Sequence, residues 1–169
     1  MPTPPLTPLA AAVLRVVPAP ERVLEIECGE GEAALFLARE FPTARVRGAD
    51  SSADRVRAAT ARVGLDPEGR VAFKQGRPSA LPFPDAFFDL LVAVDARPAP
   101  AEVGRVLAPG GWLVLVDSRH PQALSGLGGW LLRRGLRRHG LESLESERAG
   151  DGSFSVARRA GAETTPLAD

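Results

Sequence analysis

An open α/β fold built on a mostly parallel sheet is what this 169-residue sequence predicts. Three observations carry that prediction. The apolar run Val23 to Ile26 leads straight into the glycine loop Cys28-Gly29-Glu30-Gly31 and then into a helical pattern, the arrangement with which open sheets build a ligand crevice. Strand-like and helix-like runs then alternate almost to the end of the chain, as crossover connections between parallel strands require. The last part breaks the alternation with two strand-like runs around Gly150-Asp151-Gly152, which read as an antiparallel hairpin.

Taken in order, Thr7 and Pro8 supply an N-cap and a first helical position, and the spacing of Leu9, Val13, Val16 and Val17 gives a short amphipathic helix ended by Pro18, expected at a sheet edge. Residues 22–27 form the first strand and 31–41 the first crossover helix, with Ala34, Leu35 and Ala38 on one face. A second strand over 44–49 ends in Asp50, after which Ser51 or Ser52 caps a helix that runs to Val63 and stops at Gly64. Strands follow over 70–75 and 88–94, then a helix over 100–107, a turn at Pro109-Gly110-Gly111 and a strand over 112–117. A glycine-interrupted helix is expected over 122–139 and the hairpin strands over 141–148 and 153–159. The Pro-rich first eight residues read as a flexible end and the residues from 161 as a loose tail of a single domain spanning 1–169.

Composition limits the function classes. Lys plus Arg and Asp plus Glu are both 21, so nothing global attracts nucleic acid or an anionic membrane, and neither is expected as a partner. The N-terminal apolar run has no basic lead-in and is broken by Pro18 and Pro20, which argues against a leader or a spanning helix and for a cytoplasmic chain. Cys28 is the single cysteine, which excludes an internal disulfide, and with two histidines no zinc set is predicted. Its expected role is that of a small buried apolar side chain. The segment LLRRGLRRHG interleaves Arg133, Arg134, Arg137 and Arg138 with leucines; it reads as a solvated outer helix face, against phosphate gripping or a membrane surface.

The charge of the glycine loop narrows the ligand. Glu25, Glu27, Glu30 and Glu32 fall within eight positions with no Lys or Arg among them, a local formal charge of minus four that repels a diphosphate. Glycines permitting close backbone approach, with carboxylates at the strand end, suit a nucleoside without phosphate that bears positive charge, such as S-adenosylmethionine. Asp50 is placed to accept from both ribose hydroxyls, or to cap the following helix. Glu25 either orients the loop and reaches a cofactor amine or is a plain strand-end acid.

Four blocks in order resemble one family. VLEIECGEG is similar to the acidic strand and glycine loop of class I S-adenosylmethionine-dependent methyltransferases of the small-molecule type, and RVRGADSSADRVRAATARV to their second strand, terminal acid and helix. GRVAFKQGRPSALPFPDAFFDLLVAV resembles their third-to-fourth-strand segment and VGRVLAPGGWLVLVD their fifth strand with its approach. The resemblance implies a doubly wound, Rossmann-like sheet of seven strands, mostly parallel, with helices on both faces. It places Glu25, Glu27, Gly29, Gly31, Asp50, Ser51, Arg77 and Pro78 around S-adenosylmethionine. A small-molecule acceptor is then expected, with Asp95 or His120, just after the fourth and fifth strands, as the base that deprotonates it.

Two positions depart from that pattern. Glu27 stands where the family has a glycine, and Arg77 where it has an acid that accepts from the adenine amino group. Both count against cofactor binding, and an ion pair between them across the pocket mouth is one expectation. The connection ARPAPAEVGRVLA is short, which leaves the site open or covered by a second copy or a protein partner. Two other readings stay open: a noncatalytic methyltransferase-like domain that binds or regulates a partner, and a nicotinamide-dependent oxidoreductase, since Gly29-x-Gly31-x-x-Ala34 with Asp50 also fits a dinucleotide fingerprint.

Overall fold

A computed structural model describes residues 7–120, 124, 126–142 and 144–161. The expected flexible end and loose tail fall largely outside these residues. Seven strands form one sheet in the order β3-β2-β1-β4-β5-β7-β6. Strands β1 (Arg22–Ile26), β2 (Arg45–Asp50), β3 (Val71–Gln75), β4 (Phe88–Val94) and β5 (Leu107–Asp117) are parallel. The antiparallel pair β6 (Glu145–Ala149) and β7 (Gly152–Arg158) adds to β5 through β7, with Val114 opposite Val156.

The alternation of side chains along the central strands divides the core in two. Val23, Leu90, Val92, Val114 and Val116 face one layer, packed by α1 (Pro8–Val13) and α2 (Glu32–Glu40). Leu24, Ile26, Leu91, Leu113 and Leu115 face the other, packed by α4 (Pro100–Val106) and α5 (Gly126–Arg138). Because β4 is covered on both faces, its sequence is a near-continuous apolar run. The predicted doubly wound, seven-stranded fold with its terminal hairpin is therefore the observed one.

Local chemistry sets the helix ends. Thr7 Oγ1 accepts the Ala10 N–H at 3.2 Å to start α1 at Pro8, and Ser52 Oγ accepts the Arg55 N–H to start α3 (Ala53–Val63), which Gly64 ends at φ +66°. Helix α2 starts from Gly31 at φ +82°, where a Cβ would meet the Phe73 ring at 2.7 Å, so both the backbone and the neighbour require glycine. Helix α1 stops at Val13, four residues short of the expected end, and lies across β5, β7 and β6 on a sheet face rather than at an edge.

One further expectation changes. The Pro109-Gly110-Gly111 segment is not a turn: β5 begins at Leu107 and runs through it. The Gly110 N–H donates to the Arg159 carbonyl and the Arg159 N–H to the Gly111 carbonyl, so the neighbouring strand satisfies the backbone, with a register shift opposite Phe88 and Leu90. The long link from β3 to β4 contains no helix. It is fastened instead by Arg105, whose guanidinium donates to the Leu81 and Phe83 carbonyls and to Asp85 and Glu102, while Glu102 accepts the Leu81 N–H at 2.7 Å. Phe83 and Phe87 then close edge-on over Phe88, each with ring centroids 5.0 Å apart. Much of the LPFPDAFF block is thus a cover for one sheet face.

Candidate functional site

The carboxyl ends of β1, β2, β4 and β5 bring Glu27, Asp50, Asp95 and Asp117 to one edge of the sheet, where its winding reverses between β1 and β4. Two adjoining cavities open there, of about 420 and 490 Å³, sharing Glu27 and Val94 in their walls. The first is bounded by the glycine loop and by Glu25, Glu30 and Glu32; the second by Asp50, Ser51, Arg55, Pro78, Asp95 and Arg97.

Asp50 organises the loop. Although 1% exposed, it accepts the Gly29 N–H at 2.9 Å, the Ser52 N–H at 2.8 Å and the Arg55 Nε–H at 2.9 Å. It is thus both the anchor of the glycine loop and the start of the next helix, and it still reaches the second cavity. Above Gly29 the space is open: a Cβ there would meet nothing within 4 Å. Ser51 lies beside Asp50, its carbonyl held by Gln75 Nε2 at 3.1 Å.

Glu25 is 3% exposed, and its Oε2 has no hydrogen-bond partner among the described residues. Burial pushes its pKa up to about 8, against a lowering contribution from the Ala34 backbone and with a further rise from Asp50. Glu25 therefore carries a proton over much of the neutral range. Cys28 is buried beside it, as the sequence led us to expect, and its thiol is pushed up to about 12 by burial and by the charges of Glu25 and Asp50. A thiol held so firmly protonated is packing, not a nucleophile.

Glu27 adopts φ +54°, a region disfavoured for any side-chain-bearing residue, and its Oε1 is buried without a partner among the described residues. Its predicted ion pair with Arg77 does not form. Arg77 is exposed, its backbone bridges to Ala80, and it lines neither cavity; Pro78 next to it does. The left-handed turn aims Glu27 inward while the start of the β3–β4 link carries Arg77 away. Replacing Glu27 by glycine removes the backbone strain and the stranded oxygen, offset by the extra freedom of glycine in the unfolded chain. The expected result is a net gain of about 1–2 kcal/mol in unfolding free energy. Denaturant titration of the variant beside Glu27→Gln, which keeps the strain, measures it; a less stable glycine variant would contradict the argument.

Asp95 lines the second cavity at φ +52° and is held by the Ser118 N–H at 2.8 Å and the Ser118 hydroxyl at 2.6 Å. His120 is exposed and outside both cavities; its carbonyl accepts from Ser153 Oγ. Of the two candidate bases, geometry therefore brings Asp95 to the site. Sequence reasoning missed Arg97, which lines the second cavity and donates from Nη2 to the buried Asp117 at 2.8 Å. It also missed Arg55 as the partner of Asp50. The visible signals were an acid at the end of β5 and an arginine in the short connection after β4.

The walls thus differ in chemistry. The first cavity is walled by acidic side chains, Glu25 and Glu27 each with a buried oxygen that has no partner among the described residues, and Arg62 clamps Glu30 and Glu32 at 3.0 and 3.1 Å. In the second, Arg55 pairs with the buried Asp50, and Arg97 reaches from the wall to Asp117. Among the described residues no group of three or more His, Cys, Asp and Glu is arranged to hold a metal ion.

The family described as "Methyltransferase domain" matches residues 23–111, which include the glycine loop, Asp50 and the β4 end. Among relatives, a demethylmenaquinone methyltransferase of Thermus thermophilus is 37% identical over 119 residues, covering 66% of this chain and 53% of the relative. A fatty-acid O-methyltransferase of Mycolicibacterium smegmatis is 36% identical over 106 residues, covering 59% of this chain and 38% of the relative. The chain spans about half or less of the length of these relatives. Among solved structures, a putative methyltransferase of Haloferax volcanii in complex with the Trm112 activator aligns with a TM-score of 0.73 at 19% identity, covering 89% of this chain and 87% of that one. A SAM-dependent methyltransferase of Aquifex aeolicus aligns at 0.69 and 20% identity, covering 88% and 87%. At these identities the structures establish the fold.

Proposed function

We propose that this chain, which belongs to the class I S-adenosylmethionine-dependent methyltransferases, transfers a methyl group to a small apolar acceptor. The observation that carries the reading is the Asp50-anchored glycine loop with Glu25 and Glu27 in the wall of the cavity beside it, each holding a buried carboxyl oxygen that has no partner among the described residues. That set fits the cofactor at its charged end. Glu25 and Glu27 would accept from an ammonium and, when ionised, favour a neighbouring sulfonium, Gly29 would leave room for the methionine chain, and Asp50 would present an acceptor to the ribose. The adenine end would be held by the apolar walls of Pro78 and Val94, with Arg77 outside the cavity.

When bound, the cofactor supplies an already activated methyl carbon, so the protein's contribution is placement and the removal of one proton. Asp95, fixed by Ser118 at the cavity wall, is the group we assign to that proton. The names of the relatives, which refer to fatty acids and demethylmenaquinone, support an apolar acceptor.

A thermal-shift comparison tests the reading. S-adenosylhomocysteine at about a hundredfold over its Kd is expected to raise the melting temperature by about 5–10 °C, and NAD to leave it unchanged. A shift with NAD alone, or with neither, would refute it.

A further inference from the structure

Helix α5 carries a feature that methyl transfer does not use. Its inner face buries Gly129, Leu132 and Leu136 against the sheet. The outer face keeps Leu127, Trp130 and Leu131 in water, at 73%, 51% and 54% exposure, so half of the large exposed apolar side chains described for the molecule lie within five consecutive residues. The following turns carry Arg133, Arg134, Arg137 and Arg138, which with Trp130 wall a shallow cavity of about 510 Å³. Arg133 is tied to the Leu144 carbonyl and to Ser146, and the Arg134 guanidinium stacks over Trp130 at 5.3 Å. Among the described residues no carboxylate pairs with Arg134, Arg137 or Arg138.

A net charge of zero overall makes this local excess the more distinct. Arginine near a helix C-terminus is electrostatically favourable on its own, yet that does not account for a tryptophan and two leucines left in solvent just before it. Nucleic acid would satisfy the guanidinium groups and leave the leucines unburied. A surface with phosphates over an apolar layer satisfies both.

We infer that α5 is a peripheral docking helix for anionic phospholipid, with Leu127, Trp130 and Leu131 entering the headgroup layer and the arginines holding lipid phosphates. This revises the expectation of no membrane partner; it concerns surface contact only, since no helix among the described residues is long and apolar enough to cross a membrane. The orientation is consistent. Strand β5 ends at Asp117 on the ligand edge, while the segment after α5 returns at Leu141, which bridges Arg159 at the opposite edge. The apolar turns of α5 therefore lie toward the cavities, and docking there brings the open site close to lipid.

Cosedimentation of the full chain with vesicles tests the inference directly, without reference to catalysis. Strong binding is expected to vesicles containing phosphatidylglycerol and little to phosphatidylcholine alone, with a blue shift of Trp130 emission in a Trp112→Phe background. The double variant Trp130→Ser with Leu131→Ser is expected to lose binding. Replacing Arg134, Arg137 and Arg138 by glutamine should lower it by about a hundredfold. Circular dichroism of each variant checks that the fold persists. Absence of anionic-vesicle binding by the parent chain would overturn the inference. So would undiminished binding by a folded Trp130/Leu131 variant, or tighter binding to single-stranded RNA than to the vesicles.

Discussion

Asp50→Ala is expected to destabilise the protein by about 3–5 kcal/mol and to abolish binding of S-adenosylhomocysteine. The carboxylate is buried and receives three donors, from Gly29, Ser52 and Arg55. Hydrogen bonds to a charged acceptor contribute about 1.5–3 kcal/mol each, and truncation strands the donors in a site 1% open to solvent, although water entering the second cavity recovers part of the loss. The loss falls on two elements together, because the same side chain fixes the glycine loop after β1 and the first turn of α3. Asp50→Asn separates charge from shape. It keeps one acceptor oxygen but turns an amide toward a donor, so an intermediate loss of stability is expected together with a full loss of affinity. Urea unfolding and calorimetric titration read the two effects. An alanine variant that folds normally and binds the ligand would remove Asp50 from the site.

That residue also shows why part of the site was legible in the sequence. The acid at the end of a strand, the two serines after it and the glycine loop ahead of it are short-range patterns, and each states its own backbone requirement. Ser52 caps α3 and Gly64 ends it as the residues indicate. What escaped depends on contacts across the sheet. Arg97 finds Asp117 and Asp95 finds Ser118 only because β4 and β5 are paired with Val94 beside Val116. The Pro-Gly-Gly segment reads as a turn until Arg159, just past β7 and some fifty residues later, supplies its hydrogen-bond partner. Arg77 illustrates a third kind of miss. Its charge is plain in the sequence, but the direction of its side chain is set by how the β3–β4 link crosses the sheet. In the same way α5 reads as an ordinary arginine-rich helix until Trp130 is seen on the outer face with its cations.

Glu25→Gln is expected to flatten the dependence of stability on pH. The carboxyl titrates near 4.5 when unfolded and at about 8 when folded, with burial as the main cause. A raised folded pKa means that the native state holds the proton longer, so its stabilising contribution is complete below pH 4.5 and is lost as pH rises through about 8. Over that window the parent chain should lose up to about 1.4 kcal/mol per pH unit from this group alone. The glutamine variant should match the parent below about pH 4 and exceed it by about 3 kcal/mol at pH 7. Denaturant titrations across the range measure this, and parallel curves for the two proteins would exclude Glu25 as the source. The same proton links stability to binding. A cation placed beside Glu25 favours its ionised form, so binding of S-adenosylmethionine near pH 7 should release a proton. Calorimetric heats would then differ between buffers of different ionisation enthalpy for the parent chain and coincide for Glu25→Gln. The proton released would identify the buried, unpaired carboxyl of β1 as the group that meets the charged end of the cofactor.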